Sequence, residues 1–462
     1  MIYIFSSNSY SHAFPLTKKK RRALTLSVIY SSAYVILIQV FFDSLLMRIP
    51  GELYFKAALL LGYSFTLILV MLLKNGTLSM GNLALIVIFL FILINNQTII
   101  HGSIFPTIFC FVGITIIICC KYVPIWMKAM QKAIIPLVWI QFASAIILFF
   151  NRDAQKSYVI PFFALDSVSA NNLVRQIESN YLLGLTSHFS AFAIYLSIGF
   201  LYAYSRFLSS GTKRKKSTIT MIAFFLGLAM SGKRAHFAFC LIAAIYVYIV
   251  IYGTRSINRI IKRFLIVFCA ALFLFIVLST ASVFQTTLTR IIAQENADVF
   301  SGRIIIWEPM WRDFLSSPFI GSGWGAFRYN YSYLMMGNDR MTDGHNVYLQ
   351  LLYETGILGF LAIGSLFFIS FRKTYQLYRI IQKDPFFQAS EKELMLFSVS
   401  MQLFFLMYCM TGNPLYDFII FFPYIFACSV PITVKYNRER KALLQNEMHK
   451  KDIESDERRD AL

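Results

Sequence analysis

The sequence predicts an all-α integral membrane protein with about 12 transmembrane helices and one long extracytoplasmic loop that contains short helices. Its composition indicates the membrane class, because 57% of the residues are hydrophobic and only 14% are charged. A soluble domain carries roughly a quarter charged residues. Two further observations, long apolar runs and regularly alternating basic connections, place the helices and orient them.

Apolar runs of about 18 or more residues are long enough to cross a bilayer as helices. Such runs are centred near residues 32, 64, 88, 111, 142, 195, 224, 244, 271, 359, 402 and 424. We therefore expect helices 1–9 within residues 23–280 and helices 10–12 within residues 347–433. The first run lacks a small-residue cleavage pattern after it, which favours a retained helix over a secretory signal peptide.

The net charge of +20 orients the chain, since lysine and arginine cluster at both ends and after every second apolar run. By the positive-inside rule these basic connections are cytoplasmic. The tails 1–22 and 434–462 are then both cytoplasmic, and the long loop 281–346 faces outward. The cations are accounted for by membrane orientation, so we expect membrane lipids as partners and no nucleic acid.

Two features of the long loop indicate its local structure. Apolar residues recur there at the spacing of an amphipathic helix, namely Ile304, Trp307, Trp311 and Phe314. The tryptophans suit a helix at the membrane surface, or simply an anchor for the loop. The glycines that follow, Gly321, Gly323 and Gly325, follow no strand and open no soluble helix. They predict flexible turns and not a dinucleotide site.

Cations in two outward elements are candidates for binding an anion. Lys233 and Arg234 lie in a tight connection between two spans, on the side where cations are disfavoured. Either they snorkel to the headgroups or they form an anion site. Arg303 in the long loop supplies a further cation, with Arg312 as a supporting one. Guanidinium groups bind phosphate oxygens in bidentate fashion, so converging arginines match a diphosphate.

His345 is the candidate general base. It precedes the tenth span, where the positive end of a helix dipole favours the neutral imidazole that can accept a proton. A hydrogen-bonded interfacial histidine is the alternative interpretation. Asn346 and Asp343 are supporting candidates, Asp343 for orienting the ring. Glu354, inside the same span, indicates a polar cavity or an ion pair. The seven cysteines all fall within spans, so we expect neither disulfides nor a metal site.

At this point the chain resembles the O-antigen ligase and O-antigen polymerase superfamily of bacterial envelope membrane proteins. The resemblance rests on these motifs: Ser231-Gly232-Lys233-Arg234, Ser301-Gly302-Arg303 with Trp307, Pro318 to Gly323, His345-Asn346 with Leu349-Gln350, and Gly356 to Gly359. Together with the spans and the loop position it covers roughly residues 20–433. The motifs do not separate the members of the superfamily.

The resemblance implies a glycosyltransferase of lipopolysaccharide or polysaccharide biosynthesis in the bacterial inner membrane, without metal or cofactor. Such enzymes move a glycan from undecaprenyl diphosphate to an acceptor hydroxyl outside the cytoplasmic membrane. By this resemblance Arg234 and Arg303, with Lys233, hold the diphosphate, and His345 activates the acceptor hydroxyl.

Three acceptors stay open. A repeat-unit polymerase, whose acceptor is another glycan, is our leading hypothesis, because nothing in the loops marks a different acceptor. A ligase that transfers glycan to lipid A-core and a transferase that glycosylates protein hydroxyls follow. From a different class, a transporter of polysaccharide or lipid-linked sugar is less well supported. Its ionisable groups are expected at mid-membrane within repeats, whereas here the unusual charges gather near one loop.

Overall fold

The computed structural model describes residues 33–46, 49–74, 76, 78–94, 96–101, 103–164, 167–209, 214–252, 303–331, 334, 343–384 and 387–460. Within these ranges every regular element is a helix. The predicted all-α class is therefore confirmed. A single parallel β-bridge, between Asn96 and Trp324, joins two connections of the described chain.

The described helices of ten or more residues are named α1 to α12 in chain order. They are α1 (Glu52–Leu73), α2 (Met80–Ile94), α3 (Phe105–Cys119), α4 (Ile125–Phe150), α5 (Ser167–Glu178), α6 (Phe189–Ser209), α7 (Arg214–Met230), α8 (Arg234–Tyr252), α9 (Ile304–Ser316), α10 (Val347–Lys383), α11 (Ala389–Tyr408) and α12 (Phe418–Asp460). Shorter helical segments include Asp43–Leu46, Gln97–Ile100, Ile160–Phe163 and Ala326–Asn330.

Seven of the described helices are long and apolar enough to cross a membrane, namely α1, α3, α4, α6, α8, α10 and α12. The predicted number of about 12 is not confirmed. Three of the predicted spans correspond to helices that are short or that begin with charged residues. Helices α2 and α7 have only 15 and 17 residues, and α11 carries the charged residues Glu391 to Glu393 near its start. The predicted span near residue 271 lies outside the described residues, and the one near residue 32 lies only partly within them.

Helices α3, α6 and α12 form the centre of the bundle. In their most apolar stretches 72%, 78% and 83% of the residues are buried, against 33% to 39% in α1, α4, α8 and α10. The less buried helices leave apolar side chains such as Leu69 and Ile147 exposed. This is the arrangement expected where lipid covers the outer helices, because an apolar surface needs no further protein against hydrocarbon.

Hydrogen bonds gather the polar connections at two ends of the bundle. At one end hydrogen bonds join residues 96–104 to 318–325, and residues 409–417 to the start of α10. At the same end residues 181–188 are hydrogen-bonded to Ser44 and Met230, and the charge of Lys233 acts on His345. At the other end Gln131 Nε2 donates to Ser390 O at 2.9 Å, and Arg438 pairs with Asp384 at 3.1 Å. The alternation of basic connections predicts that the first end is extracytoplasmic. We call it the outer end.

Helix α10 is broken at Gly356, whose backbone (φ 62°, ψ −171°) lies in a region that only glycine adopts readily. Residues 318–325, here called the docking loop, fill the break. Four backbone bonds join them: Ser322 N to Tyr353 O (2.9 Å), Gly323 N to Glu354 O (2.8 Å), Ile357 N to Pro318 O (2.7 Å) and Leu358 N to Phe319 O (3.2 Å). The loop thus supplies the partners that the interrupted helix has lost.

The glycines of the docking loop are turn residues, as predicted. Gly321, Gly323 and Gly325 all have positive φ angles, of 70°, 105° and 81°. A Cβ on Gly321 would lie 2.5 Å from the backbone nitrogen of Gly356, so the two glycines allow the chains to meet.

Candidate functional site

Residues 343–345, just before α10, are each held by a side chain from another part of the outer end. Arg328 binds both carboxylate oxygens of Asp343 at 2.8 Å. Trp307 Nε1 donates to Gly344 O at 2.8 Å, and Gly344 N donates to Gln350 Oε1 at the same distance. The segment is therefore fixed before any substrate arrives.

His345 adopts a positive φ of 53°, which is uncommon for a residue with a side chain. Asn413, in the connection between α11 and α12, stabilises this conformation. Its Oδ1 accepts from the backbone nitrogen of His345 at 2.6 Å, and its Nδ2 lies 3.3 Å from the ring Nδ1. Backbone strain maintained in this way is characteristic of functional residues.

The contact with Asn413 also assigns the ring proton. Because Oδ1 faces a backbone N–H, the Nδ2 group faces the ring, and an amide nitrogen can only donate. Nδ1 of His345 is then the acceptor, and the neutral ring carries its proton on Nε2. The proton-free nitrogen, Nδ1, is thus engaged by Asn413. A general-base role at Nε2 requires the Asn413 amide to rotate and present Oδ1 to the ring, and the ring proton to move to Nδ1.

Arg303 reaches the same connection from the loop. It stands at the position before the first residue of α9, and its Nη1 donates to Thr411 O at 2.9 Å. Thr411 and Asn413 lie two residues apart, so residues 409–417 hold both Arg303 and His345. Burial lowers the pKa of Arg303 from its ordinary value, but a guanidinium stays charged at any physiological pH.

Lys233 is the second cation that acts on His345. Burial first, and then the charges of Arg303 and Lys233, lower the pKa of His345 to about 4, while Asp343 opposes the shift. The ring is therefore neutral at neutral pH. This agrees with the predicted neutral form, although the causes are burial and two cations and not the helix dipole alone. Lys233, Arg303 and His345 thus form one electrostatic group.

Two predicted cations lie at the periphery of this group. Arg234, in the first turn of α8, has an exposed side chain beside Lys233 in the sequence. Arg312 is exposed on α9 and pairs with Glu308 one turn away at 2.9 Å. Arg312, predicted as a supporting cation, is therefore part of an exposed ion pair at the surface.

The supporting residues have structural partners. Asn346 caps α10, since its side chain accepts from Leu349 N at 3.1 Å. Glu354, fully buried, accepts from Gln350 Nε2 at 2.9 Å and from the Tyr416 hydroxyl at 2.7 Å. A polar cavity or an ion pair was expected at Glu354, whereas the partners of its carboxylate among the described residues are neutral donors.

Asp343 was expected to orient the imidazole, and here the structure differs. Both carboxylate oxygens bind Arg328, and the side chain whose amide contacts the His345 ring is that of Asn413. Burial alone would lower the pKa of Arg328, but the Asp343 carboxylate more than offsets it and raises that pKa. The ion pair anchors the segment, and the charge of Asp343 acts on His345.

Thr411 and Asn413 were missed from the sequence. They belong to a short polar break, Thr411 to Pro414, between two long apolar helices. That break is visible as a signal for a connection. The sequence does not show that this connection contacts residues 68 and 108 positions earlier, because those contacts depend on how α10, α11 and α12 pack.

No group of three or more His, Cys, Asp or Glu side chains that could hold a metal ion occurs in the part of the chain described. The expectation of a metal-independent reaction is a prediction that this observation does not test.

Comparison with known families adds one match. Residues 219–364 match the family model described as O-antigen ligase, and this segment contains Lys233, Arg234, Arg303 and His345. Thr411 and Asn413 lie beyond it. A search of curated proteins found no match. The match supports the resemblance seen in the motifs and, with the apolar helices, a multi-pass bacterial membrane enzyme of the glycan-transferring type.

Proposed function

We propose, on the premise that residues 219–364 form an O-antigen ligase domain, that this protein is a metal-independent glycosyltransferase of the bacterial inner membrane. It moves glycan from undecaprenyl diphosphate to an acceptor hydroxyl at the outer end, and both chain termini are cytoplasmic. The observation that carries this proposal is the grouping of two cations, Arg303 and Lys233, around a neutral histidine, His345.

The two cations suit the diphosphate of the donor. Arg303 uses Nη1 on Thr411 O, and a guanidinium has five N–H groups, so others are left for phosphate oxygens. Lys233 adds a point charge, and Arg234, exposed at the start of α8, completes the proposed binding site from the solvent side. Together they stabilise the negative charge that develops as the diphosphate leaves.

Binding of the donor also changes the pKa of His345. In the empty site Arg303 and Lys233 disfavour a second positive charge on the ring. A bound diphosphate neutralises those cations, which raises the pKa of His345 and makes it a better base. The charges therefore favour an order in which the donor binds first and the acceptor is activated only in its presence.

The proposed reaction is balanced within this group. The acceptor oxygen forms a bond to the anomeric carbon, and the bond from that carbon to the diphosphate oxygen breaks with its electrons moving to the diphosphate. The ring proton first moves from Nε2 to Nδ1, once Asn413 has presented Oδ1 to Nδ1, and the hydroxyl proton then passes to His345 Nε2, which leaves the ring as imidazolium. The energy comes from the diphosphate leaving group.

A polymerase of surface-polysaccharide repeat units is the first candidate. A ligase acting on lipid A-core is the second, favoured by the description of the matching family. Cells that carry His345→Ala or Arg303→Ala separate the two. Single-unit glycans on the surface indicate a polymerase, and polymer retained on the lipid carrier indicates a ligase.

Arg312→Ala is the matched control, because its side chain is exposed and paired with Glu308. We expect normal glycan from this variant. Normal amounts and lengths of surface glycan in both His345→Ala and Arg303→Ala, with each protein present at the wild-type level, would overturn the catalytic assignment.

A further inference from the structure

A polar cavity of about 270 Å³ opens at the outer end, between the last turns of α5 and the start of α6. Asn172, Arg175 and Ser179 form one side, and His188 forms part of another. Nothing in the proposed chemistry of Arg303 and His345 uses these side chains. Polar groups that converge in a concave site without belonging to the reacting centre indicate a binding subsite.

The apolar side of the cavity is formed by Tyr181 and Phe189. Their rings are stacked with centroids 5.2 Å apart. A sugar ring presents C–H bonds on its faces and hydroxyls at its edge. Aromatic side chains pack against the C–H faces, and polar side chains bind the hydroxyls. The lining of the cavity includes both kinds of side chain, with Tyr181 buried and stacked on the Phe189 ring.

The cavity is also preorganised. Gln176 Oε1 accepts from Phe189 N at 3.0 Å, which fixes the chain where it enters α6. His188 Nδ1 accepts from Ser190 N at 3.1 Å, so the neutral His188 ring carries its proton on Nε2. Arg175 and His188 are then donors, while Asn172 and Ser179 can both donate and accept. Hydroxyl groups, which do both, are the natural partners of such a set.

Lys233 connects this cavity to the reacting group. Its Nζ lies 4.9 Å from the centre of the Phe189 ring, and its charge contributes to the lowered pKa of His345. Leu182 N also donates to Met230 O at 3.3 Å, which ties the cavity to the α7–α8 connection. The cavity therefore lies beside Lys233, whose charge also acts on the residue proposed to activate the acceptor.

We propose that this cavity is a carbohydrate subsite that holds a sugar residue of the acceptor glycan while another hydroxyl of that glycan meets His345. The inference rests on the proposed glycan transfer and assigns a place to its acceptor. It makes Asn172 and Arg175 determinants of acceptor specificity, and it leaves the diphosphate to Arg303.

A direct measurement of binding tests the subsite without requiring the transfer reaction. Purified full-length protein in nanodiscs is titrated with two probes: the oligosaccharide released by mild acid from the host's lipid-linked repeat units, and inorganic pyrophosphate. We expect Asn172→Ala and Arg175→Ala to weaken oligosaccharide binding about fivefold or more, or roughly 1 kcal/mol, and to leave pyrophosphate binding unchanged. Asn171→Ala is the matched control, since Asn171 is exposed on the same helix but does not line the cavity.

The result distinguishes this inference from the function on which it rests. Unchanged oligosaccharide binding in Asn172→Ala and Arg175→Ala, or weaker pyrophosphate binding in both, overturns the carbohydrate subsite. Pyrophosphate binding that is unchanged in Arg303→Gln contradicts the proposed donor site instead, and leaves the sugar assignment to be judged by its own probe.

A transfer assay separates acceptor from donor. With the lipid-linked donor saturating and the labelled soluble oligosaccharide varied as acceptor, Asn172→Ala raises KM for the acceptor and leaves kcat near the wild-type value. A rise in the donor KM alone overturns the assignment to the acceptor.

Discussion

Asn413 contacts His345 twice, through the backbone nitrogen at 2.6 Å and through the ring Nδ1 at 3.3 Å. One side chain therefore sets both the conformation of the candidate base and the position of its proton. Because the second contact places the proton on Nε2, Asn413 decides which nitrogen is available for chemistry.

Asn413→Asp tests this control. A carboxylate accepts at both contacts, so it favours the proton on Nδ1 and frees Nε2 to act as a base. We expect transfer activity at or above the wild-type level in Asn413→Asp, and a loss of about tenfold or more in Asn413→Ala. Activity is measured with membranes and lipid-linked repeat units. Loss in Asn413→Asp alone would mean that His345 acts as an Nε2–H donor.

The pKa of His345 should respond to the neighbouring cations. Only the neutral ring reacts with diethyl pyrocarbonate, so its rate, followed by mass spectrometry of the peptide, falls as the pH drops through the pKa near 4. Removing a positive charge in Lys233→Met or Arg303→Gln raises that pKa, and the midpoint moves to higher pH. Added pyrophosphate should move the wild-type midpoint in the same direction. Midpoints that do not move would contradict the electrostatic group.

The break in α10 predicts a large difference between two glycines of one helix. Gly356→Ala forces a side chain into positive φ and places its Cβ 2.3 Å from Phe319 backbone atoms. We expect a loss of at least about 2 kcal/mol in stability. At Gly364 an added Cβ meets nothing within 4 Å, so Gly364→Ala should be neutral or stabilise by up to about 1 kcal/mol. Thermal unfolding of the purified proteins gives the comparison, and equal midpoints would exclude the break.

Two ion pairs in the described part of the long loop 281–346 predict a second contrast in stability. Arg328 binds Asp343 in bidentate fashion, with only 9% of the Asp343 side chain exposed. Arg328→Ala leaves that carboxylate without its main partner and should cost about 2–3 kcal/mol. Arg312→Ala breaks an exposed pair on α9 and should cost about 0.5 kcal/mol or less. The same unfolding assay measures both, and similar costs would show that the buried pair does not anchor residues 343–346.

Much of the fold followed from local patterns. Apolar run length predicted the helical class, because a chain in lipid must satisfy its backbone within helices. The spacing from Ile304 to Phe314 predicted α9, and positive φ in the docking loop agrees with the prediction of turns. The helix and the turns are determined by residues only a few positions apart in the sequence. The number of spans is not confirmed, since α2 and α7 have only 15 and 17 residues and two predicted spans lie wholly or partly outside the described residues.

The candidate site was predictable only by residue type. A histidine at the start of a span and cations on the outer side could be seen as unusual. The contacts of His345 with Asn413, and of Arg303 with Thr411, depend on three helices packing together. The pairing of Asp343 with Arg328, which lies 15 residues earlier, is likewise a contact that the sequence pattern does not indicate.

The docking loop limits how substrates can enter. Its two donors and two acceptors complete the backbone of α10, so lifting it away would leave four main-chain groups unpaired beside the bilayer. Each such group costs on the order of 1–3 kcal/mol. A segment held in this way does not serve as a gate. In the proposed reaction the donor and the acceptor must therefore approach His345 along paths that residues 318–325 leave undisturbed.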